Sequence, residues 1–171
     1  AVYLYDEDSG TDDFLGSTVT DQWGNWVIDF AWLSSGEPDL YAVFRTGNAR
    51  VQIKYPFGDA NFSWVSPTKW NAGADNVSFQ TLQPASLADM SSLHACTQLT
   101  RAWREMANHG YQNISPVRCR LSSTSWPHYK GGSIETIYLT QDANWQDGTY
   151  WHEYGHHIVH VYGANDNTDY C

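Results

Sequence analysis

The chain has 171 residues, of which 42% are hydrophobic, and this is the composition of a folded protein with one ordinary domain or two small ones. Its net charge of −10, with only nine Lys and Arg residues, argues against a nucleic-acid partner, because phosphate binding requires clustered positive charge. No apolar run reaches the length of about eighteen residues that a transmembrane helix needs, so no membrane span is predicted.

Short strands separated by turns are predicted for residues 1–56. The β-prone segments are 2–5, 14–20, 26–30, 40–45 and 50–55. The last two are expected to pair as a hairpin across the turn at 46–49, which contains Gly47 and Asn48. Strands at this spacing predict a small β-sandwich.

An acidic loop follows the first predicted strand. Clustered carboxylates such as these are the ligands that Ca²⁺ prefers, and the candidates are Asp6, Asp8, Asp12 and Asp13. The run also resembles the calcium loop of C2 domains, which carry an Asp-x-Asp … Asp-Asp-Phe-Leu-Gly sequence. The alternative interpretation is a solvated acidic loop beside a turn.

The segments 4–16, 20–26 and 37–41 together resemble the transthyretin-like β-sandwich module. They contain Leu-Tyr-Asp-Glu-Asp, Asp-Asp-Phe-Leu-Gly, Thr-Asp-Gln-Trp-Gly-Asn-Trp and Glu-Pro-Asp-Leu-Tyr, which span about the first third of the chain. That module often lies beside secreted enzymes. The resemblance therefore implies that residues 1–56 form an accessory module for packing, positioning or adhesion.

A change of pattern separates this part from the rest of the chain. Residues 57–85 are rich in Asn, Gly, Ser, Pro and Trp and are predicted to be a connecting segment. After them, apolar residues recur at helical spacing, and a helix is expected that starts at Ser86 or at Ser91–Ser92 and stops at Gly110. The mixture of predicted strands and helices makes the fold class α+β.

The last third alternates strands and a helix. Strands are predicted at 116–121 and 134–139, the second with strict alternation of apolar and polar residues. A final helix is expected to begin near Asp147 or Thr149 and to reach Tyr162, because the following residue is a glycine.

The final helix contains the motif His-Glu-x-x-His. His152 and His156 are one helical turn apart, project from one face and are candidate ligands of a single Zn²⁺. Glu153 is then placed to act as a general base towards a zinc-activated water. A cluster of surface histidines with no metal is the alternative interpretation.

Residues 151–159, together with the upstream strand at 137–139, resemble the secreted gluzincin-like zinc metallopeptidases that carry the sequence HEYGHH. The resemblance implies a zincin-like metallopeptidase part over residues 86–171, with a peptide or protein as substrate. It also implies that the strand at 134–139 is the edge strand that pairs with the substrate backbone ahead of the active-site helix.

A third zinc ligand is not evident from the motif. Gluzincins use a Glu on a later helix, and no Glu follows Glu153; the metzincin continuation fails because Val159 and Tyr162 replace its Gly and His. His160 is one further turn along, and three successive turns of one helix, each about 5.4 Å long, do not easily converge on one ion. We therefore expect His160 to be a buried or supporting histidine.

The residues that follow the helix offer two other sources of a third ligand. The run 163–170 is similar to the aspzincins, which bind zinc through an Asp after a Gly-Thr turn, and this implies Asp169, then Asp166, although the Gly-Thr pair is missing. The alternative is a ligand in a C-terminal segment beyond Cys171 or in another chain.

Several features indicate a secreted protein. The start at Ala1 resembles a processed terminus, and three Asn-x-Ser sequons offer N-glycosylation sites at Asn61, Asn76 and Asn113. A disulfide between Cys96 and Cys119 is expected to tie the first helix to the next strand, which leaves Cys171 to pair with another segment or chain.

Three functions are consistent with these patterns. The first is a secreted zinc-dependent endopeptidase. The second is a secreted glycoprotein with a structural or assembly role, built on an inactive peptidase-like fold. The third is a calcium-dependent adhesion module that uses the acidic loop.

Overall fold

The computed structural model describes residues 1–73, 76–84, 86–122 and 124–163. These residues form a mixed α+β structure with two four-stranded sheets and two α-helices, which confirms the predicted fold class. Neither of the described helices has the length and apolar character needed to cross a membrane. The chain divides into two compact units: unit 1 is Ala1–Arg45 with Ser63–Ala85, and unit 2 is Thr46–Phe62 with the chain from Ser86 onward.

The elements are numbered in chain order. The strands are β1 (Val2–Asp6), β2 (Asp13–Thr18), β3 (Leu40–Arg45), β4 (Val51–Lys54), β5 (Ser63–Val65), β6 (Val117–Arg120), β7 (His128–Lys130) and β8 (Thr136–Tyr138). The helices are α1 (Leu87–Asn108) and α2 (Asp147–Tyr162), with a short 3₁₀ turn at Asp142–Trp145 before α2.

Unit 1 is built on one antiparallel sheet with the strand order β2-β1-β3-β5. Alternate residues of β1 and β3 are buried, as expected for strands that cover a core with one face. Val2, Ala42 and Phe44 form that core. Among the described residues of this unit no second sheet is formed, so the predicted β-sandwich is reduced to a single sheet.

The predicted strand at 26–30 is not formed. This segment has no regular backbone pairing, although Trp26 and Ile28 pack against the core of the sheet. The Trp26 ring lies 5.8 Å from that of Phe44 and 5.5 Å from that of Phe79. The alternating apolar residues therefore pack against the core through their side chains, while remaining partly exposed.

The predicted hairpin between residues 40–45 and 50–55 is wrong. β3 pairs with β1 and β5 in unit 1, whereas β4 pairs in parallel with β6 in unit 2. The Asn48 side chain accepts hydrogen bonds from the backbone N–H groups of Arg50 and Val51, at 2.8 and 3.0 Å, which turns the chain before β4. The two units consequently differ from the predicted division into 1–56, 57–85 and 86–171.

Unit 2 has a sheet with the order β4-β6-β8-β7, in which only β7 is antiparallel to its neighbour. Residues of both helices share one hydrophobic core with β4, β6 and β8. α1 presents Ala95, Leu99 and Ala102 to this core at helical spacing. Both predicted helices are confirmed, including their ends at Ser86 and Gly163.

The strand predicted at 134–139 does not lie at the edge of this sheet. β8, which the sequence analysis placed at the edge, lies between β6 and β7, and β7 is the outer strand. β7 has only three residues, so it has too few positions to show a periodic pattern.

The predicted disulfide between Cys96 and Cys119 is not formed, and both thiols are free. Cys119 is fully buried in β6 and Cys96 packs against the same core from α1. Burial among apolar side chains raises the pKa of both thiols. Since the thiolate is the form that reacts, this environment disfavours oxidation. Cys171 lies outside the described residues.

Candidate metal centre

The two predicted zinc ligands meet on one side of α2. The Nε2 atoms of His152 and His156 are 3.1 Å apart, and the two rings are nearly perpendicular. Two nitrogens bound to one tetrahedral zinc at about 2.0–2.1 Å would be roughly 3.3 Å apart. His152 is exposed and His156 is half-buried. The pair fits two ligands of one metal.

Glu153 is buried between these histidines and the sheet, with 4% of its surface exposed. Among the residues that the structure describes, its Oε2 atom has no hydrogen-bond partner. Burial raises the pKa of this carboxyl, against the opposing effect of His152 and His156. Since a buried oxygen without a partner is unfavourable, this atom requires a water, a ligand, a proton or a group from outside the described part of the chain.

β7 forms the other side of the site. α2 packs against this strand, and the backbone N–H of Tyr129 lowers the pKa of Glu153 together with the imidazole of His128. The His128 ring is itself stacked on Tyr138, at 4.8 Å between ring centroids. Neither His128 nor Tyr129 was predicted from the sequence, and the signal that indicates them is the short segment between Pro127 and Gly131.

The next histidine of the motif has a different role. His157 is fully buried, with Nε2 3.0 Å from the Ser115 carbonyl oxygen and Nδ1 3.4 Å from the Tyr129 hydroxyl. Because a carbonyl only accepts, Nε2 carries the proton and Nδ1 accepts from the tyrosine. Burial lowers the pKa of His157, so the neutral imidazole is favoured. This side chain fastens α2 to the sheet and to the segment before β6.

The third ligand is not among the described residues. In that part of the chain no three His, Cys, Asp or Glu side chains gather as a metal would require. Asp166 and Asp169 lie outside it. His160 is exposed and its ring packs against Tyr129 and Gly131, so the expectation that it is buried is wrong. The described site therefore supplies two ligands and a carboxylate.

Two aspartates of the predicted calcium loop, Asp6 and Asp12, have carboxylates that accept hydrogen bonds within the chain, whereas Asp8 is exposed. Asp6 is buried and accepts a backbone N–H at 2.6 Å, and Asp12 accepts from the Tyr41 hydroxyl at 2.6 Å and from the N–H of Asp8 at 3.2 Å. Asp13 is exposed in β2 and lies opposite Asp6. The four carboxylates are not gathered as a metal would require, and calcium binding stays a prediction.

The three sequons differ in accessibility. Asn76 and Asn113 are exposed, as glycosylation requires. Asn61 is half-buried, and its side-chain oxygen is buried without a hydrogen-bond partner. The geometry therefore favours Asn76 and Asn113 as acceptors, and glycosylation stays a prediction.

No protein-family model, curated protein or solved structure matches this chain. The resemblances to gluzincin-like metallopeptidases and to the transthyretin-like module therefore rest on the motifs of the sequence.

Proposed function

We propose that this protein is a secreted zinc-dependent endopeptidase, in which His152 and His156 bind the metal and Glu153 is the general base. The observation that carries the proposal is the buried Glu153 carboxylate, which interacts electrostatically with His152 and His156, two imidazoles whose Nε2 atoms are 3.1 Å apart. The backbone N–H of Tyr129 hydrogen-bonds this carboxylate, while its Oε2 atom has no partner among the described residues. A purely structural carboxylate would be expected to have both oxygens hydrogen-bonded.

In the proposed hydrolysis, the metal and the protein chain would supply different functions. When bound, zinc supplies a water whose pKa is lowered to about 7 and a Lewis acid for the scissile carbonyl. Glu153 accepts the proton of the attacking water at its carboxylate and later gives it to the leaving amine. The raised pKa of Glu153 brings its basicity closer to neutral pH, which suits both transfers.

The substrate would lie along β7. This strand is the edge of its sheet, and its residue Tyr129 adjoins the Glu153 carboxylate. An extended peptide that added to the edge would bring a peptide bond close to this carboxylate. We propose β7, in place of the strand at 134–139, as the strand that pairs with the substrate.

The proposal requires a third protein ligand, since catalytic zinc sites generally have three. Asp169 remains the first candidate within the chain, and a C-terminal segment or a partner chain is the alternative. The rival function, a structural glycoprotein on an inactive peptidase-like fold, is favoured by one observation, namely that the described residues provide only two ligands.

The test combines metal analysis with peptide hydrolysis by the full chain. We expect one bound zinc per chain and chelator-sensitive cleavage of an unstructured protein such as denatured casein. Glu153→Gln should keep the zinc and lose about 10²- to 10⁴-fold in rate, the usual contribution of a general base. Glu105→Gln, which alters an exposed residue of α1, is the matched control and should change neither.

Two results would overturn the proposal. A native protein that binds no zinc would remove the metal from the site. A protein that binds zinc at His152 and His156 but cleaves no peptide would support the structural glycoprotein instead.

A further inference from the structure

A large cavity lies on the core side of the sheet of unit 1. Its volume is about 950 Å³, near the upper end of the range of small-molecule pockets, which is about 300–1,000 Å³. One wall consists of Leu4, Leu40 and Phe44, buried residues of β1 and β3. The other lining residues come mainly from the segments 23–38 and 76–82, whose described residues form neither helix nor strand. We call this space the unit 1 cavity.

Aromatic rings make up much of its lining. Besides Phe44, the rings that line the unit 1 cavity belong to Trp23, Trp26, Phe30, Trp32 and Phe79. Trp23 is 77% exposed, and the other four are half-buried. Trp32 is held in place, because its Nε1 atom donates to the Gly36 carbonyl at 2.9 Å. Monomeric proteins rarely leave a large contiguous apolar surface exposed, and such a surface generally marks a binding site.

The polar groups of the unit 1 cavity favour a ligand rich in hydrogen-bond donors. Asp29 and Glu37 line it, are exposed, and form no hydrogen bond or ion pair through their carboxylates with other described residues. Glu37 lies directly against the backbone of Gly73, where a Cβ atom would overlap its carboxylate. No Lys, Arg or His is present among the described lining residues, so an anionic ligand would meet only like charges. A carboxylate only accepts hydrogen bonds, so its partner must carry N–H or O–H groups.

A candidate glycosylation site adjoins the same cavity. All three residues of the sequon Asn76-Val77-Ser78 line it, and Asn76 is exposed. The first sugars of an N-glycan are neutral rings with hydroxyl groups, amide N–H groups and apolar C–H faces. The C–H faces can pack on the aromatic rings, and the hydroxyl and amide groups can donate to the carboxylates of Asp29 and Glu37.

Covalent attachment favours this occupant over a free sugar. Contacts between a sugar ring and the protein are individually weak, but a ligand tethered by a short linker has an effective concentration in the millimolar range. We propose that the unit 1 cavity holds the inner sugars of an N-glycan attached to Asn76, which cover its aromatic residues. The proposal rests on the secreted nature of the protein in the proposed function and is independent of the zinc site.

The full chain secreted from a eukaryotic host cell provides the test. Mass spectrometry of its peptides should show a glycan on Asn76, and thermal unfolding followed by tryptophan fluorescence measures the contribution of that glycan. Asn76→Gln should lower the melting temperature by about 4 °C or more, because a unit as small as this responds strongly to a loss of packing. Asn113→Gln removes the other exposed sequon, which belongs to unit 2 and does not line the cavity. It is the matched control and should change the melting temperature by less than about 1 °C.

A double-mutant cycle separates packing of the glycan in the cavity from a general effect of glycosylation. In a Trp23→Ala background, Asn76→Gln should lower the melting temperature by less than about half as much, since a ring that the sugars cover is already absent. Trp70 is 63% exposed in unit 1 and does not line the cavity. Trp70→Ala should therefore leave the effect of Asn76→Gln unchanged.

The proposal is wrong if Asn76 of the secreted chain carries no glycan. It is also wrong if Asn76→Gln has the same effect with and without the Trp23 ring, since the glycan would then lie outside the cavity. Neither result bears on the proposed endopeptidase, which is tested separately by the zinc content and peptide cleavage of the same preparation.

Discussion

The histidines of α2 lie in two regions with opposite surroundings. On one side, His152 and His156 turn their Nε2 atoms towards each other, and His152 is exposed while His156 is half-buried. On the other side, His157 is fully buried and both of its ring nitrogens contact protein oxygens. The residue type is the same, but in one region each imidazole faces the other of a pair, and in the other region the imidazole is fixed to the core.

Two other buried side chains of α2, a tyrosine and a glutamate, show a similar contrast. The buried hydroxyl of Tyr150 donates to the carbonyl of Asn144 at 2.7 Å. Glu153 is also buried, and its Oε2 atom has no hydrogen-bond partner among the described residues. Because this oxygen belongs to a carboxylate that interacts with the histidine pair, the combination of the two features indicates a ligand site.

The largest effect is expected on metal affinity when a ligand is removed. His156→Ala should weaken zinc binding by at least about 100-fold, because loss of a ligand should cost no less than loss of the groups that orient it. Competition with a chromophoric chelator measures the change. His160→Ala, one turn further along the same helix, is the control and should keep the wild-type affinity. Equal losses in the two variants would mean that the metal is bound elsewhere on the helix.

The next effect concerns stability and involves the other side of the helix. His157→Ala should lower the free energy of unfolding by about 2–4 kcal/mol, since it leaves the Ser115 carbonyl without its partner and opens a cavity in the core. Urea denaturation in the presence of a chelator measures this loss.

His152→Ala is the matched control for that experiment, because it removes the same side chain from the exposed side of α2. Its effect on the metal-free protein should remain within about 0.5 kcal/mol. If the two variants lose similar stability, the contrast between the two sides of the helix is not real.

The pH dependence of stability should come from the buried side. Burial lowers the pKa of His157 in the folded state, so the unfolded chain takes up a proton first as the pH falls. The contribution of His157 is present above its ordinary pKa of about 6.5 and is lost as the pH falls through that value towards the lower pKa of the folded state. Urea denaturation between pH 7.5 and pH 5, at about half-unit intervals, measures it in the metal-free chain.

His157→Gln has no titrating ring and should reduce this slope. The pKa of Glu153 is raised, so Glu153 acts in the opposite direction, with stability lost as the pH rises, and this contribution is present in both proteins. The difference between the two curves therefore reports His157. Parallel curves for wild type and variant would show that the buried imidazole is not the source.

The features that were predicted correctly from the sequence are those that depend on residues close together in the chain. Both α-helices were found because their caps at Ser86 and Gly163 and the spacing of their apolar residues are local signals. The motif of α2 likewise placed His152 and His156 on one face without knowledge of the fold.

What the sequence did not predict depends on contacts between distant residues. The hairpin at 46–49 was a plausible local pairing, yet β4 pairs with β6, which lies more than sixty residues further along the chain. β5 and β7 have three residues each, too few to show a period. The burial of Glu153 against β7, which gives the candidate site its character, was therefore beyond the reach of pattern analysis.

The smallest effect on stability is expected from changing a helix cap, a residue that supports the fold and is not part of the candidate site. Ser86 begins α1, and its hydroxyl accepts the backbone N–H of Asp89 at 3.0 Å. Ser86→Ala should cost about 1 kcal/mol of unfolding free energy, the usual value for loss of an N-cap, and should leave zinc affinity unchanged. Ser86→Thr, which keeps a capping oxygen, is the control. A change of zinc affinity in Ser86→Ala would mean that the packing of α1 sets the geometry of the histidine pair, and the contrast between the two sides of α2 would then depend on the whole core of unit 2.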